Sequence, residues 1–248
     1  MDAVITPVSV NAPIRWFNCI DCNRWNVTTT VALCGQKGGA GKTTLAISLA
    51  AEWHSRGYRT LLVDLDPQGT ATTWGDIAAE VGATGPTVVG MGDAVRTRLP
   101  EIAADYDVVV IDCPPRAGKR TVGALMVADL AVLPCAASPA DLWALSEALD
   151  VVGQAQALRP ELDVRIALNQ VLVSSTLGRQ IEEALAQLEV ERMQKIVHHR
   201  VEMARSLATG QGVTVARPSS LAAAEIRRWV DEVEDIVGMH TETAARAM

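Results

Sequence analysis

From Thr28 onward the chain alternates between two hydrophobic patterns. Short runs in which nearly every consecutive position is apolar occupy residues 29–34, 59–63, 106–111, 130–134 and 164–169. A strand that is apolar on successive positions buries both of its faces, as in a parallel sheet covered on two sides. Between these runs, longer Ala- and Leu-rich stretches at 42–56, 121–128, 141–158, 177–188 and 221–237 read as helices. The last shows the period most clearly. Leu221, Ile226, Trp229, Val230, Val233 and Ile236 recur at helical spacing, with Arg227, Arg228, Asp231, Glu232 and Glu234 opposite. Such alternation predicts an α/β domain with a mainly parallel, buried sheet flanked by helices. Residues 70–105, rich in Gly and Thr, show no period that assigns them, and residues 1–27 show none that is sustained. The expected organisation is an N-terminal extension over 1–27 and one domain over 28–248.

Composition sharpens this picture in three places. The chain has 248 residues, 49% of them hydrophobic, yet its aromatics are six Trp, two Tyr and one Phe, so the core must be built from Ala, Val, Leu and Ile. A charged fraction of 21% excludes a disordered chain, and no apolar run reaches the roughly 18 residues that a membrane helix needs. Five scattered cysteines are unlike a secreted disulfide framework, and the N-terminus lacks the basic start and apolar stretch of a signal peptide. A soluble, cytoplasmic protein without a membrane partner is expected. The net charge of −7 argues against a protein that coats nucleic acid with its whole surface, so any such contact must be a local patch.

The first predicted strand and helix enclose Gln36-Lys37-Gly38-Gly39-Ala40-Gly41-Lys42-Thr43-Thr44. Three glycines free the backbone to wrap N–H groups around an anion. Lys42 places a cation on the terminal phosphates, and the Thr43 hydroxyl can ligate Mg²⁺. The helix that follows directs its positive dipole end at the same phosphates. The loop departs from the usual G-x-x-x-x-G-K-[ST] pattern, because Gln36 stands where the first glycine is expected and Lys37 follows it. A lysine at the entrance cannot easily fold back beside Lys42, and is better placed to reach towards another subunit.

Two acidic segments complete the constellation. Leu61-Leu62-Val63-Asp64-Leu65-Asp66-Pro67-Gln68-Gly69 ends a buried run with two carboxylates, which are costly there unless they face Mg²⁺ or water. Asp107-Val108-Val109-Val110-Ile111-Asp112, followed by Cys113-Pro114-Pro115, has the form of a Walker B strand whose carboxylate holds a Mg²⁺-bound water.

KGGAGKTT, VDLDPQG and VVVIDCPP, in that order, resemble the deviant Walker A ATPases of the ParA/MinD superfamily, most closely the short ParA (ParF-like) partition proteins. The resemblance spans about residues 28–237 and implies a single P-loop NTPase domain that uses ATP and Mg²⁺. It implies that Lys37 contacts the phosphates of a partner subunit across an ATP-bound homodimer, and that Lys42 is the phosphate-loop lysine. Gly38, Gly39, Ala40, Gly41 and Thr44 line the loop beside it. Thr43 is then the Mg²⁺ ligand, Asp64 and Asp112 are acids near the metal shell, and Asp66 orients the attacking water. Asn169 matches an adenine-contacting Asn, and Pro139 and Asp141 lie in the segment associated with the dimer face. The implied activity is slow ATP hydrolysis stimulated by a ParB-like adaptor, for segregation of plasmid or chromosomal DNA.

Arg192, Lys195, Arg200, Arg205, Arg217, Arg227 and Arg228 face only Glu202 and Glu225 over residues 192–228. Such a patch can neutralise several phosphates with little sequence preference. The resemblance implies non-specific DNA binding by this region in the ATP state, hence association with the nucleoid. Two alternatives stand beside this reading: positioning of a protein cargo by the same cycle, and an ATP-dependent metal-cluster carrier or reductase-type relative of the same fold, for which Cys19 and Cys22 in a single C-x-x-C are the candidate ligands. Cys34, Cys113 and Cys135 fall at strand ends and read as small buried hydrophobes. The acidic ending disfavours a membrane-bound regulator, which needs a basic amphipathic terminal helix.

Overall fold

The computed structural model describes residues 28–172 and 190–239, except 117 and 137, and in addition 185 and 188. The expected helix over 177–188 and the Cys19/Cys22 pair lie outside the described residues, apart from Leu185 and Leu188.

Six strands form one sheet: β1 (Thr29–Leu33), β2 (Thr60–Asp64), β3 (Thr87–Gly90), β4 (Val108–Asp112), β5 (Leu130–Cys135) and β6 (Asp163–Leu168). Their order is β3-β2-β4-β1-β5-β6, and every pairing is parallel. The expected fold class is borne out. β1, β2, β4 and β5 are buried almost throughout, whereas the edge strand β3 is exposed or half-buried along its length.

Alternate strand residues feed two separate cores, which explains the unbroken apolar runs. On one face Ala32, Leu61, Val63, Val109, Ile111, Ala131 and Leu133 pack beneath α3 (Val95–Ala103), α4 (Lys119–Leu125) and α5 (Pro139–Leu158). On the other, Val31, Leu33, Leu62, Val108, Val110, Leu130 and Val132 meet α1 (Lys42–Ser55), α2 (Thr70–Glu80) and α6 (Val201–Leu207). α7 (Val213–Ala216) and α8 (Leu221–Ile236) complete that layer. Trp53 of α1 and Trp229 of α8 are the largest fully buried side chains. Arg56 locks these two helices together: its guanidinium bonds Glu52 at 2.9 Å, Glu234 at 2.8 Å and Asp231 at 2.8 Å, while Trp53 Nε1 donates to Glu234 at 3.0 Å.

The unassigned 70–105 region holds α2, β3 and α3. None of the three advertises itself. α2 starts behind Gly69 without a side-chain cap, α3 contains Pro100, and β3 is four residues long.

Candidate functional site

Register brings the three motifs to one edge of the sheet. Leu33, which leads into the glycine loop, pairs with Asp112, and Asp112 pairs on its other side with Asp64. α1 leaves β1 towards one face while α4 leaves β4 towards the other, so their loops diverge and open a crevice at the carboxyl ends of the strands.

The loop is braced from the β6 side. Asn169 Nδ2 donates to the Ala40 carbonyl at 2.9 Å, and Gln170 Nε2 donates to the Gly39 carbonyl at 3.1 Å. Gly41 takes φ 89, and a Cβ there would overlap the Asn169 amide. Open space surrounds the positions a Cβ would take at Gly38 and Gly39. The loop backbone is therefore held from behind and left bare in front, a cradle suited to a polyanion.

Lys42, the first residue of α1, is buried, and its ammonium donates to the Lys37 carbonyl at 3.0 Å. Burial lowers its pKa from the ordinary lysine value, with Asp112 opposing most strongly. Thr43 and Thr44 follow on the first turn, where N–H groups of the helix lack intrahelical partners.

The three acids behave differently. Asp64 is fully committed to the chain: Oδ1 accepts from the Asp66 N–H at 3.0 Å, and Oδ2 accepts from the Thr72 N–H at 2.8 Å and its hydroxyl at 3.0 Å. It organises the turn that presents Asp66 and the start of α2. Asp66 is half-buried, with Oδ1 accepting from the Gln68 N–H at 3.0 Å. Asp112 is wholly buried, and neither of its oxygens has a well-formed hydrogen bond. Burial pushes its pKa up to about 7, with the nearby Thr43 hydroxyl and Lys42 ammonium opposing. A buried, unpartnered carboxylate beside a threonine hydroxyl fits the protein side of a Mg²⁺ shell, since that ion keeps waters and phosphate oxygens for its other positions.

Lys37 does not enter its own loop. Its ammonium lies 2.9 Å from Asp141, which is buried in the first turn of α5 and also accepts from the Ser138 hydroxyl. The family resemblance implies a dimer-face segment for Asp141 but gives no sign of this ion pair; the brace from Gln170 is likewise missed, although its place beside Asn169 is a usable signal. Cys34, Cys113 and Cys135 are buried free thiols, and burial raises Cys34 and Cys135 to about 12 and Cys113 well above its usual value.

The basic region is less open than its composition suggests. Arg200 bonds buried Glu225 at 2.6 Å, and Arg227 spends its guanidinium on the Pro218 and Thr214 carbonyls at 2.9 and 3.0 Å. Burial alone would raise Glu225, but Arg200 and His198 outweigh it and hold the acid below its usual value. Arg192 is half-buried, with Nη1 donating to the Met193 carbonyl at 3.3 Å. Lys195, Arg205, Arg217 and Arg228 are exposed.

This crevice, glycine cradle and buried acid define a P-loop nucleotide site. A family model described as the CobQ/CobB/MinD/ParA nucleotide-binding domain matches residues 31–213, and the chain belongs to that family. It is 32% identical over 237 residues to the chromosome-partitioning ATPase Soj of Thermus thermophilus, covering 82% of this chain and 94% of that protein. It is 30% identical over 211 residues to the maintenance of carboxysome distribution protein A of Halothiobacillus neapolitanus, covering 84% of this chain and 97% of the relative. Two solved structures share the fold at a TM-score of 0.68. Cobyrinic acid a,c-diamide synthase of Mycobacterium smegmatis, with bound ADP and magnesium, is 22% identical over 83% of this chain and 93% of its own. The septum site-determining protein MinD of Pyrococcus horikoshii, complexed with Mg-ADP, is 18% identical over 86% of this chain and 98% of its own. Among the described residues no helix is long and apolar enough to cross a membrane.

Proposed function

We propose that this chain is an ATP- and Mg²⁺-dependent ATPase whose two copies pair in the ATP state, and that the pair positions a cargo on DNA. The observation that carries the proposal is the pair of lysines: Lys42 fills the loop, while Lys37 stands at its mouth with its ammonium paired to Asp141. A cation kept out of its own pocket is available to a second molecule's phosphates once its ion pair opens. Magnesium, when bound with the nucleotide, neutralises charge on the β- and γ-phosphates. Thr43 and Asp112 hold that ion's shell from the protein side, the glycine cradle orients the phosphates, and Asp66 aligns the attacking water through its second carboxylate oxygen. With most of the catalysis lying in positioning, an incomplete monomer site hydrolyses slowly and an adaptor can accelerate it.

The exposed Lys195, Arg205, Arg217 and Arg228 supply a non-specific DNA contact. Partition of DNA with a ParB-like adaptor is the first reading for the cargo, supported by the chromosome-partitioning relative. Positioning of a protein body is the second, supported by the carboxysome-distribution relative at similar identity. Both place the protein in the cytoplasm and on the nucleoid in its ATP state.

Light scattering of the full chain with saturating Mg²⁺ and a non-hydrolysable ATP analogue tests the pairing. The wild-type mass should double, while Lys37→Ala keeps nucleotide binding and stays single. A wild-type chain that remains single under these conditions refutes the proposal.

A further inference from the structure

Among the described residues, two that are not glycine hold a left-handed backbone, Gln170 at φ 56 and Arg116 at φ 72. Both flank the phosphate loop. A side chain in that region costs about 1–2 kcal/mol, and such residues persist only where the surroundings enforce the conformation. For Gln170 the use is visible, because the strained backbone delivers its amide to the Gly39 carbonyl.

Among the described residues Arg116 shows no such use. Its N–H donates to the Gln36 carbonyl at 3.2 Å, tying the β4–α4 loop to the mouth of the phosphate loop, and its own carbonyl accepts from the Thr121 hydroxyl at 3.5 Å. The guanidinium is exposed and bonds to no described residue. Three other cations around the loop are occupied. Arg120 bonds Asp93 and the Leu65 carbonyl, each at 2.9 Å, Lys37 is held by Asp141, and Lys42 lies inside the loop. Arg116 also stands four residues after the buried Asp112, on the strand next to β1. The strained turn thus presents an unspent planar cation beside the cradle, and a guanidinium matches phosphate oxygens bidentately.

We propose that Arg116 is a second phosphate-contacting cation of this site: its guanidinium binds the terminal phosphate oxygens of a nucleoside triphosphate, held in its own loop or by a second copy of the chain. The second alternative rests on the pairing proposed above; the first does not.

Arg116→Gly is the decisive variant, since glycine adopts the left-handed turn without penalty and removes only the side chain. Lys119→Ala, an exposed cation one turn away, controls for general surface charge. Three measurements on the full chain suffice: binding of a fluorescent ATP analogue with Mg²⁺ at high dilution, light scattering with a non-hydrolysable analogue, and phosphate release. Arg116→Gly should melt at or above the wild-type temperature and lose at least about tenfold in turnover, with Lys119→Ala within about twofold of wild type. A contact within one chain weakens the dilute binding about tenfold; a contact across the pair leaves it intact and weakens pairing by that factor. Wild-type values for Arg116→Gly in all three measurements overturn the inference. If the wild type fails to pair while Arg116→Gly still loses dilute binding, the pairing proposal falls and the contact within one chain stands.

Discussion

Asp112→Asn tests whether this pocket sacrifices stability for a cation-binding acid. Asp112 has no solvent exposure, and neither oxygen is well hydrogen-bonded. Its carboxyl is lifted by burial from 3.8 to about 7. About three pH units at ~1.36 kcal/mol each disfavour the ionised form by roughly 4 kcal/mol. Asparagine removes that charge at nearly constant shape but still buries an amide, which costs about 1–3 kcal/mol if it too lacks partners. The variant should therefore gain ~1–3 kcal/mol at about pH 8, or roughly 5 °C in Tm for a domain of this size. The sign follows from linkage. An acid whose folded pKa lies above its unfolded value supports the fold fully below about pH 4 and progressively less as pH rises towards about 7. Thermal melts in EDTA without nucleotide should show wild type losing stability between about pH 4 and 7 while Asp112→Asn does not, so the gain vanishes at the acid end. The same variant should lose Mg²⁺-dependent phosphate release. Parallel pH slopes for the two proteins, or a variant less stable than wild type at about pH 8, refute the reasoning.

Gly41→Ala forces a Cβ into the Asn169 amide at φ 89, so the brace must open; nucleotide affinity should fall by more than about tenfold in a fluorescence titration, and unchanged affinity would show the brace to be dispensable. Arg56→Ala removes the cation shared by Glu52 and Glu234, both buried, and should cost about 3–5 kcal/mol in urea unfolding; a loss below about 1 kcal/mol contradicts the proposed locking of α1 to α8. Replacing Arg205, Arg217 and Arg228 together by Ala should weaken DNA retention and flatten its log–log salt dependence by up to about three, whereas Arg200→Ala should lower stability by leaving Glu225 short of a partner. Retention with an unaltered salt slope in the triple variant rules these arginines out as the DNA contact.

The glycine loop is legible in the amino-acid order because its chemistry is local: a strand, three glycines, Lys42 and a helix follow one another within a few residues. The central strands are legible because burial on both faces leaves nothing but apolar side chains along them. β3 is not, since an edge strand of four residues facing solvent carries neither that run nor a clean alternation. The roles of the acids are only partly legible. Asp64, Asp66 and Asp112 look alike as strand-end carboxylates, yet Asp64 is satisfied by Thr72 eight residues onward, whereas Asp112 has no well-formed hydrogen bond among the described residues. Arg200 and Arg227 likewise count as free charge in the composition, whereas Glu225 and two carbonyls occupy them in the fold.

Sequence order alone settled the fold class, the family resemblance and the phosphate cradle, because periodicity and contiguous motifs encode burial and backbone freedom over short distances. Folding decided which charges are spent and which are left over. Lys37 and Asp141 meet across 104 residues, Asn169 reaches Ala40 across 129, and Arg116 is held in its turn by Gln36. Pairings over such separations depend on strand order and register, which place distant carboxyl ends side by side, and no local pattern records which neighbour each side chain will find there.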